Sequence, residues 1–120
     1  MMTRKKRDEW CAALRSGKYK QGKKRLRRKN HDGPDTFCCL GVYCDINDPS
    51  KWNYDENDRE YYYEGKIGTL PVSLWDYTKS STIEFFEWND SLGKTFPEIA
   101  DLIEQNIPIV DIDTSLKGNE

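Results

Sequence analysis

Whatever this 120-residue chain folds into must be organised around its longest apolar run, Thr36-Phe37-Cys38-Cys39-Leu40-Gly41-Val42-Tyr43-Cys44. In so short a run, periodicity alone does not separate a buried strand from a buried helix. The favoured reading is a strand start at Thr36 to Cys38 running into a short helix from Cys39 to Ile46. Leu40, Val42, Tyr43 and Ile46 would then pack inward. The surroundings are polar: 36% of residues are hydrophobic, 33% are charged and the mean hydropathy is -0.93. An aromatic content of 12% nevertheless argues against disorder. The length suits one domain with one small core. No apolar run approaches a membrane span, and the basic N-terminus lacks the apolar stretch of a secretion signal. Loose ends are expected at about residues 1–3 and 112–120.

The flanking segments read as short elements. Thr3 to Ser16 is a helix, capped by Thr3, with Trp10, Ala13 and Leu14 at helical spacing and Gly17 at its stop. Extended pieces follow at Lys18 to Gln21 and Lys24 to Arg28. Asn30 to Asp35 is dense in turn formers. Asn47 to Arg59 reads as a polar surface loop around Trp52. Tyr61-Tyr62-Tyr63 is a strand, Glu64-Gly65 a turn and Lys66-Ile67-Gly68 its return. Pro71 opens a helix over Val72 to Tyr77. Thr82 to Trp88 is ambiguous between strand and helix, and its β-branched and aromatic content favours strand. Thr95 and Glu98 have the spacing of a capping box, followed by the stripe Phe96, Ile99, Ala100 and Ile103, which Leu102 can join. Ile107 to Val110 suits an edge strand. The expected class is α+β: a small antiparallel sheet with three or four short helices in a single compact domain over residues 1–120.

Charge is strongly polarised. Residues 1–31 hold thirteen Lys/Arg against Asp8 and Glu9, a formal +11; residues 32–120 hold six against nineteen acids, a formal -13, which together give the net -2. Such a dipole steers charged partners in a salt-dependent way. The basic density peaks from Lys18 to Lys29. It reads either as a solvated face or as an anion site.

The cysteines at 11, 38, 39 and 44 point to reduced, buried thiols. Adjacent Cys38 and Cys39 make two independent bridges awkward. Cys39 and Cys44 have loose chelating spacing, but no second pair follows, so no metal is expected. A Cys38 or Cys39 nucleophile with His31 as base is conceivable, but core thiols and a loop histidine are the simpler account. Asp111 and Asp113 share one side of an extended segment without further ligands and read as a solvated tail. No catalytic residue and no cofactor is expected.

Two stretches carry a resemblance. One is Trp10-Cys11-Ala12-Ala13-Leu14-Arg15-Ser16-Gly17-Lys18-Tyr19-Lys20-Gln21-Gly22, leading through a basic segment at Leu26 to Phe37-Cys38-Cys39-Leu40-Gly41-Val42-Tyr43-Cys44-Asp45. The other is Asn89-Asp90, a glycine, Thr95-Phe96 and Glu98-Ile99-Ala100-Asp101-Leu102-Ile103-Glu104. Together, from Trp10 to about Glu104, they resemble a family of short proteins of tailed bacteriophages, most without an assigned function. The ordered set is specific, although each motif alone is weak. The resemblance implies a phage accessory protein acting in the bacterial host cytoplasm, and no site residues follow from it. Many small phage accessory proteins counter host defence, some by sequestering nucleotide immune signals and others by binding a defence protein. That step is analogy by gene class.

Binding chemistry fits the inventory better than catalysis. A nucleotide signal needs cationic forks for phosphate and an aromatic plate for a base. Arg15, Lys18, Lys20, Lys24, Arg25 and Arg27 are the candidate phosphate ligands; Trp52, Tyr61 and Tyr63 are the candidate stacking residues. Tyr19 alternates with Lys18 and Lys20 and so reads as core. The expectation is a non-catalytic inhibitor of antiviral defence that sequesters a nucleotide-type signal. The alternative is direct inhibition of a host defence protein, with Asp55, Glu56, Asp58 and Glu60 either mimicking a polyanion or forming a solvated loop. Nucleic-acid binding is a further alternative, opposed by the acidic remainder. No membrane partner is expected, and a homo-oligomer is left open.

Overall fold

The computed structural model describes residues 2–68, 87–106 and 109–110. In chain order these form β1 (Met2–Thr3), α1 (Arg4–Arg15), β2 (Lys20–Gln21), β3 (Arg27–Arg28), β4 (Thr36–Phe37) and α2 (Cys39–Asn47). A 3-10 turn (Pro49–Lys51), β5 (Trp52–Asp55) and β6 (Glu60–Tyr63) follow. The series ends with a π-helical turn (Glu87–Ser91), α3 (Phe96–Asn106) and β7 (Ile109–Val110). The class is α+β. Among the described residues the strands form three small sheets rather than one: β1 with β7, β2-β4-β3, and β5 with β6. The β1–β7 and β2–β4 pairings are parallel; β3–β4 and β5–β6 are antiparallel.

Local chemistry explains the helices. Thr3 caps α1 by accepting from the Lys6 N–H, and Gly17 follows its end at φ 79°. Thr95 and Glu98 make the reciprocal pair of a capping box at 2.8 and 3.3 Å. The apolar run divides as expected, into β4 and then α2. Leu40, Val42, Tyr43 and Cys44 are buried and Ile46 half-buried. They pack with Trp10, Cys11 and Leu14 of α1 and with Phe96, Ile99, Ala100 and Ile103 of α3. The Trp10 indole N–H donates to the Cys39 carbonyl at 3.0 Å, and its ring lies 4.7 Å from that of Tyr43. Gly41 is required by contact: a Cβ there would sit 1.7 Å from the Leu26 carbonyl oxygen. That absence of side chain brings α2 against the chain entering β3.

Further expectations change, and of the extended piece expected over Lys24 to Arg28 only Arg27–Arg28 is strand. Trp52–Asp55, read as loop, is a strand, because Trp52 and Tyr54 alternate with polar residues and share one face. Tyr61–Tyr63 pairs with this upstream strand; the downstream return is a single bridge between Tyr63 and Lys66. Met2 and Thr3, expected to be loose, pair with Ile109 and Val110. The expected helix at 72–77, most of the 82–88 segment, and the tail with Asp111 and Asp113 lie outside the described residues.

Candidate functional site

The β5–β6 register sets Trp52 opposite Tyr63 and Tyr54 opposite Tyr61. Directly paired residues project to the same side of a sheet, so four aromatic rings form a ladder on one face. Tyr63 is its deep end, 1% exposed; Trp52, Tyr61 and Tyr54 are half-buried. Successive rings meet edge-on or tilted, at 5.0 Å for Trp52–Tyr63, 6.1 Å for Trp52–Tyr61 and 5.0 Å for Tyr54–Tyr61. Phe37 of β4 joins at 6.1 Å from Trp52, with Tyr19 behind it at 5.0 Å.

Arg27 enters this ladder from β3. Its guanidinium lies 4.1 Å from the Tyr61 ring centre, 5.2 Å from Phe37 and 5.5 Å from Trp52. The Asp35 carboxylate accepts from its Nη2 at 2.9 Å and its Nε at 3.0 Å. A guanidinium against aromatic faces and a carboxylate is attracted by both. Two residues on, the Lys29 ammonium stands 5.4 Å from the Tyr54 ring centre. Asp45 organises the deep side by accepting from Trp52 Nε1 at 2.9 Å and Tyr19 Oη at 2.6 Å. Burial, and then this bond to Asp45, push the Tyr19 hydroxyl above its ordinary range.

The structure therefore brings together Arg27, Trp52, Tyr61 and Tyr63 of the expected set and disperses the others. Tyr63 has no open ring face, so it supports Trp52 from beneath and offers no plate to a ligand. Arg15 is remote in sequence and role: it clamps α3 through Glu104 (2.8 and 2.9 Å) and Asp101 (2.6 Å). Those bonds raise its own pKa and lower that of Glu104. Arg25 pairs with Glu60 at 3.7 Å. Lys24 takes a left-handed conformation, φ 70°, and its backbone N–H donates to Asp90 at 3.1 Å. Lys18 and Lys20 are exposed. Sequence reasoning missed Phe37, Tyr54, Lys29, Asp35 and Asp45. The alternation Trp52-Asn53-Tyr54-Asp55 was the signal that could have found Tyr54.

The acidic run builds the hairpin. Asp55 and Asp58 accept from the backbone N–H groups of Asn57 (2.8 Å) and Glu60 (3.1 Å), and Asp58 also accepts from the Tyr62 hydroxyl. With Glu60 paired to Arg25, much of this charge is engaged internally.

The motif residues Gln21, Gly22, Asn89 and Asp90 converge in a second place. Buried Asn89 accepts from Gln21 at 2.9 Å and donates to the Gly22 carbonyl at 2.7 Å and to Asp90 at 2.8 Å. Gln21 also donates to the Lys94 carbonyl at 2.7 Å. This network stitches the 87–94 segment to β2. The same motif set extends to Gly41, whose missing side chain admits the Leu26 carbonyl.

A family model matches the larger part of the chain. The model covers residues 2–82, about two thirds of the chain, and describes a domain of unknown function, DUF8296. The chain belongs to the DUF8296 family. The matched span contains α1, the β2-β4-β3 sheet, α2 and the complete aromatic ladder. No curated protein matches, and no solved structure matches.

The thiols are shielded from solvent. All four cysteines are free and buried. Burial raises Cys11 and Cys38 to about 11, and Cys39 and Cys44 rise for the same reason. His31 lies exposed in its turn. Among the described residues no group of three or more His, Cys, Asp or Glu converges as a metal centre needs.

Proposed function

We propose that this DUF8296 protein is a non-catalytic binder that takes a nucleotide-type ligand at the outer end of the aromatic ladder. Tyr54 and Tyr61 supply the stacking surface; Lys29 and the guanidinium of Arg27 supply positive charge beside it. The observation that carries this reading is the placement of both cations over rings that are themselves half open. Arg27 acts mainly through position, since Asp35 already occupies its Nε and Nη2, so Lys29 is the freer phosphate donor. The protonated, buried thiols support binding over thiolate catalysis. With the resemblance to tailed-phage proteins, the role is that of an accessory protein in the bacterial host cytoplasm, sequestering a nucleotide immune signal of antiviral defence.

The test is native mass spectrometry of the protein purified from infected, defence-active bacteria. A bound species of nucleotide mass that is lost in Lys29→Ala/Tyr54→Ala is the expected result. A bare protein overturns sequestration, and a co-purifying host polypeptide moves the role to direct inhibition of a defence protein.

A further inference from the structure

We infer that the opposite side of the basic segment, the outer face of β2-β4-β3, is a docking surface for the phosphodiester backbone of single-stranded nucleic acid. The register places Lys20 and Arg28 on either side of Thr36 in one cross-strand row. Lys20 and Arg28 are exposed and Thr36 is half-buried, whereas the adjacent row, Gln21, Phe37 and Arg27, turns inward. Among the described residues neither Lys20 nor Arg28 has an ion-pair partner, in contrast to Arg15, Arg25 and Arg27. The backbone positions of the two cations lie two strand spacings apart, about 10 Å. Their long side chains can engage separate phosphates of one strand while the Thr36 hydroxyl donates between them. Exposed Lys18, Lys23 and Lys24 extend the charge along the same chain segment.

The chemistry of an open face selects a chain over a small anion. One solvent-exposed ion contact is weak, so a lone phosphate is not retained there. Several phosphates on one strand release several counterions, and affinity grows with their number. A single strand bends along the basic face; a stiff duplex, with denser charge, would extend over the acidic remainder of the molecule. Since the aromatic ladder lies on the other side of the sheet, bases are not stacked and binding is independent of sequence. These residues are distinct from the ladder, so this site stands or falls separately from the nucleotide reading.

Fluorescence anisotropy with a labelled oligothymidylate of about twenty nucleotides, titrated between low and physiological salt, reads the interaction directly. Expected is binding at low salt that weakens steeply as salt rises. Lys20→Glu/Arg28→Glu lowers affinity at least tenfold, and Lys20→Gln/Arg28→Gln reduces the log–log salt slope by about 1.4, at about 0.7 per lost phosphate contact. Circular dichroism confirms folding, and the milder glutamine pair serves if the charge reversal unfolds the domain. No binding at low salt, binding indifferent to both double variants, or equal competition by a duplex or by pyrophosphate at matched phosphate concentration overturns the proposal.

Discussion

The two faces of the β2-β4-β3 sheet draw on the same basic segment and use it in opposite ways. On the inner face Arg27 is held by Asp35, Tyr61, Phe37 and Trp52, and Gln21 by Asn89 and Lys94. On the outer face Lys20 and Arg28 end in solvent. Adjacent residues of one strand, Arg27 and Arg28, thus differ in availability: the first is half-buried and ion-paired, the second exposed. Density of positive charge along a sequence does not report how much of it a partner can reach; strand alternation and partner geometry decide that.

The sharpest way to break the inner face is Gly41→Ala. The added methyl meets backbone at Leu26, which cannot rotate aside, so a loss of about 3 kcal/mol or more is expected. Chemical denaturation should leave this variant largely unfolded. Asn89→Ala comes next, removing the partner of one Gln21 amide N–H and of the Gly22 carbonyl, at about 2 to 3 kcal/mol in the same measurement. Arg27→Ala removes one partner of a half-buried ion pair and opens the ladder, at about 2 kcal/mol. Arg27→Lys restores the charge but little of the stability, since an ammonium cannot reproduce the planar fork. On the outer face, Lys20→Ala and Arg28→Ala shift stability by no more than about 0.5 kcal/mol. Stability measured in parallel across these variants would erase the distinction between the faces if Arg27 and Arg28 behaved alike.

A smaller effect separates the helical side from both. Arg15 lowers the Glu104 pKa in the folded state. A carboxylate with a depressed folded pKa adds stability that is present above its unfolded pKa, about 4.3, and is lost as pH falls through the folded value. Melting temperature therefore falls on acidification below about pH 4, and Arg15→Gln makes that fall shallower. The pair is exposed, so the difference is modest.

Legibility in the sequence followed the range of the interaction. Thr3, Gly17, Thr95 and Glu98 act within one helical turn, and both ends of α1 and the start of α3 could be read from them. The division of the apolar run at Cys38 and Cys39 was also legible. The β5 strand was hidden because Asp48-Pro49 and Asn57-Asp58 bracket it with turn formers, while its alternation spans only four residues. The partner of Tyr61–Tyr63 depends on the Asp55–Arg59 turn, where the Arg59 N–H donates to the Asp55 carbonyl at 2.7 Å with φ 60° at Arg59. That choice of upstream over downstream pairing is not written in β propensity. Tyr61 and Tyr63 share a face as their spacing requires, yet their depths differ because the hairpin docks at one end. Arg27 found its place through three strands distant in sequence, which no local pattern reports.

Helix α1 is fastened just before its first residue, where β1 pairs with β7, and again at its last, where Arg15 grips α3. A helix secured only along its middle loses its terminal amides to solvent early, one turn at a time. With both ends tied to the same distant part of the chain, its amides have no separate route to opening. Hydrogen exchange along α1 will consequently follow one cooperative event, and releasing either fastening will restore the gradient from end to middle.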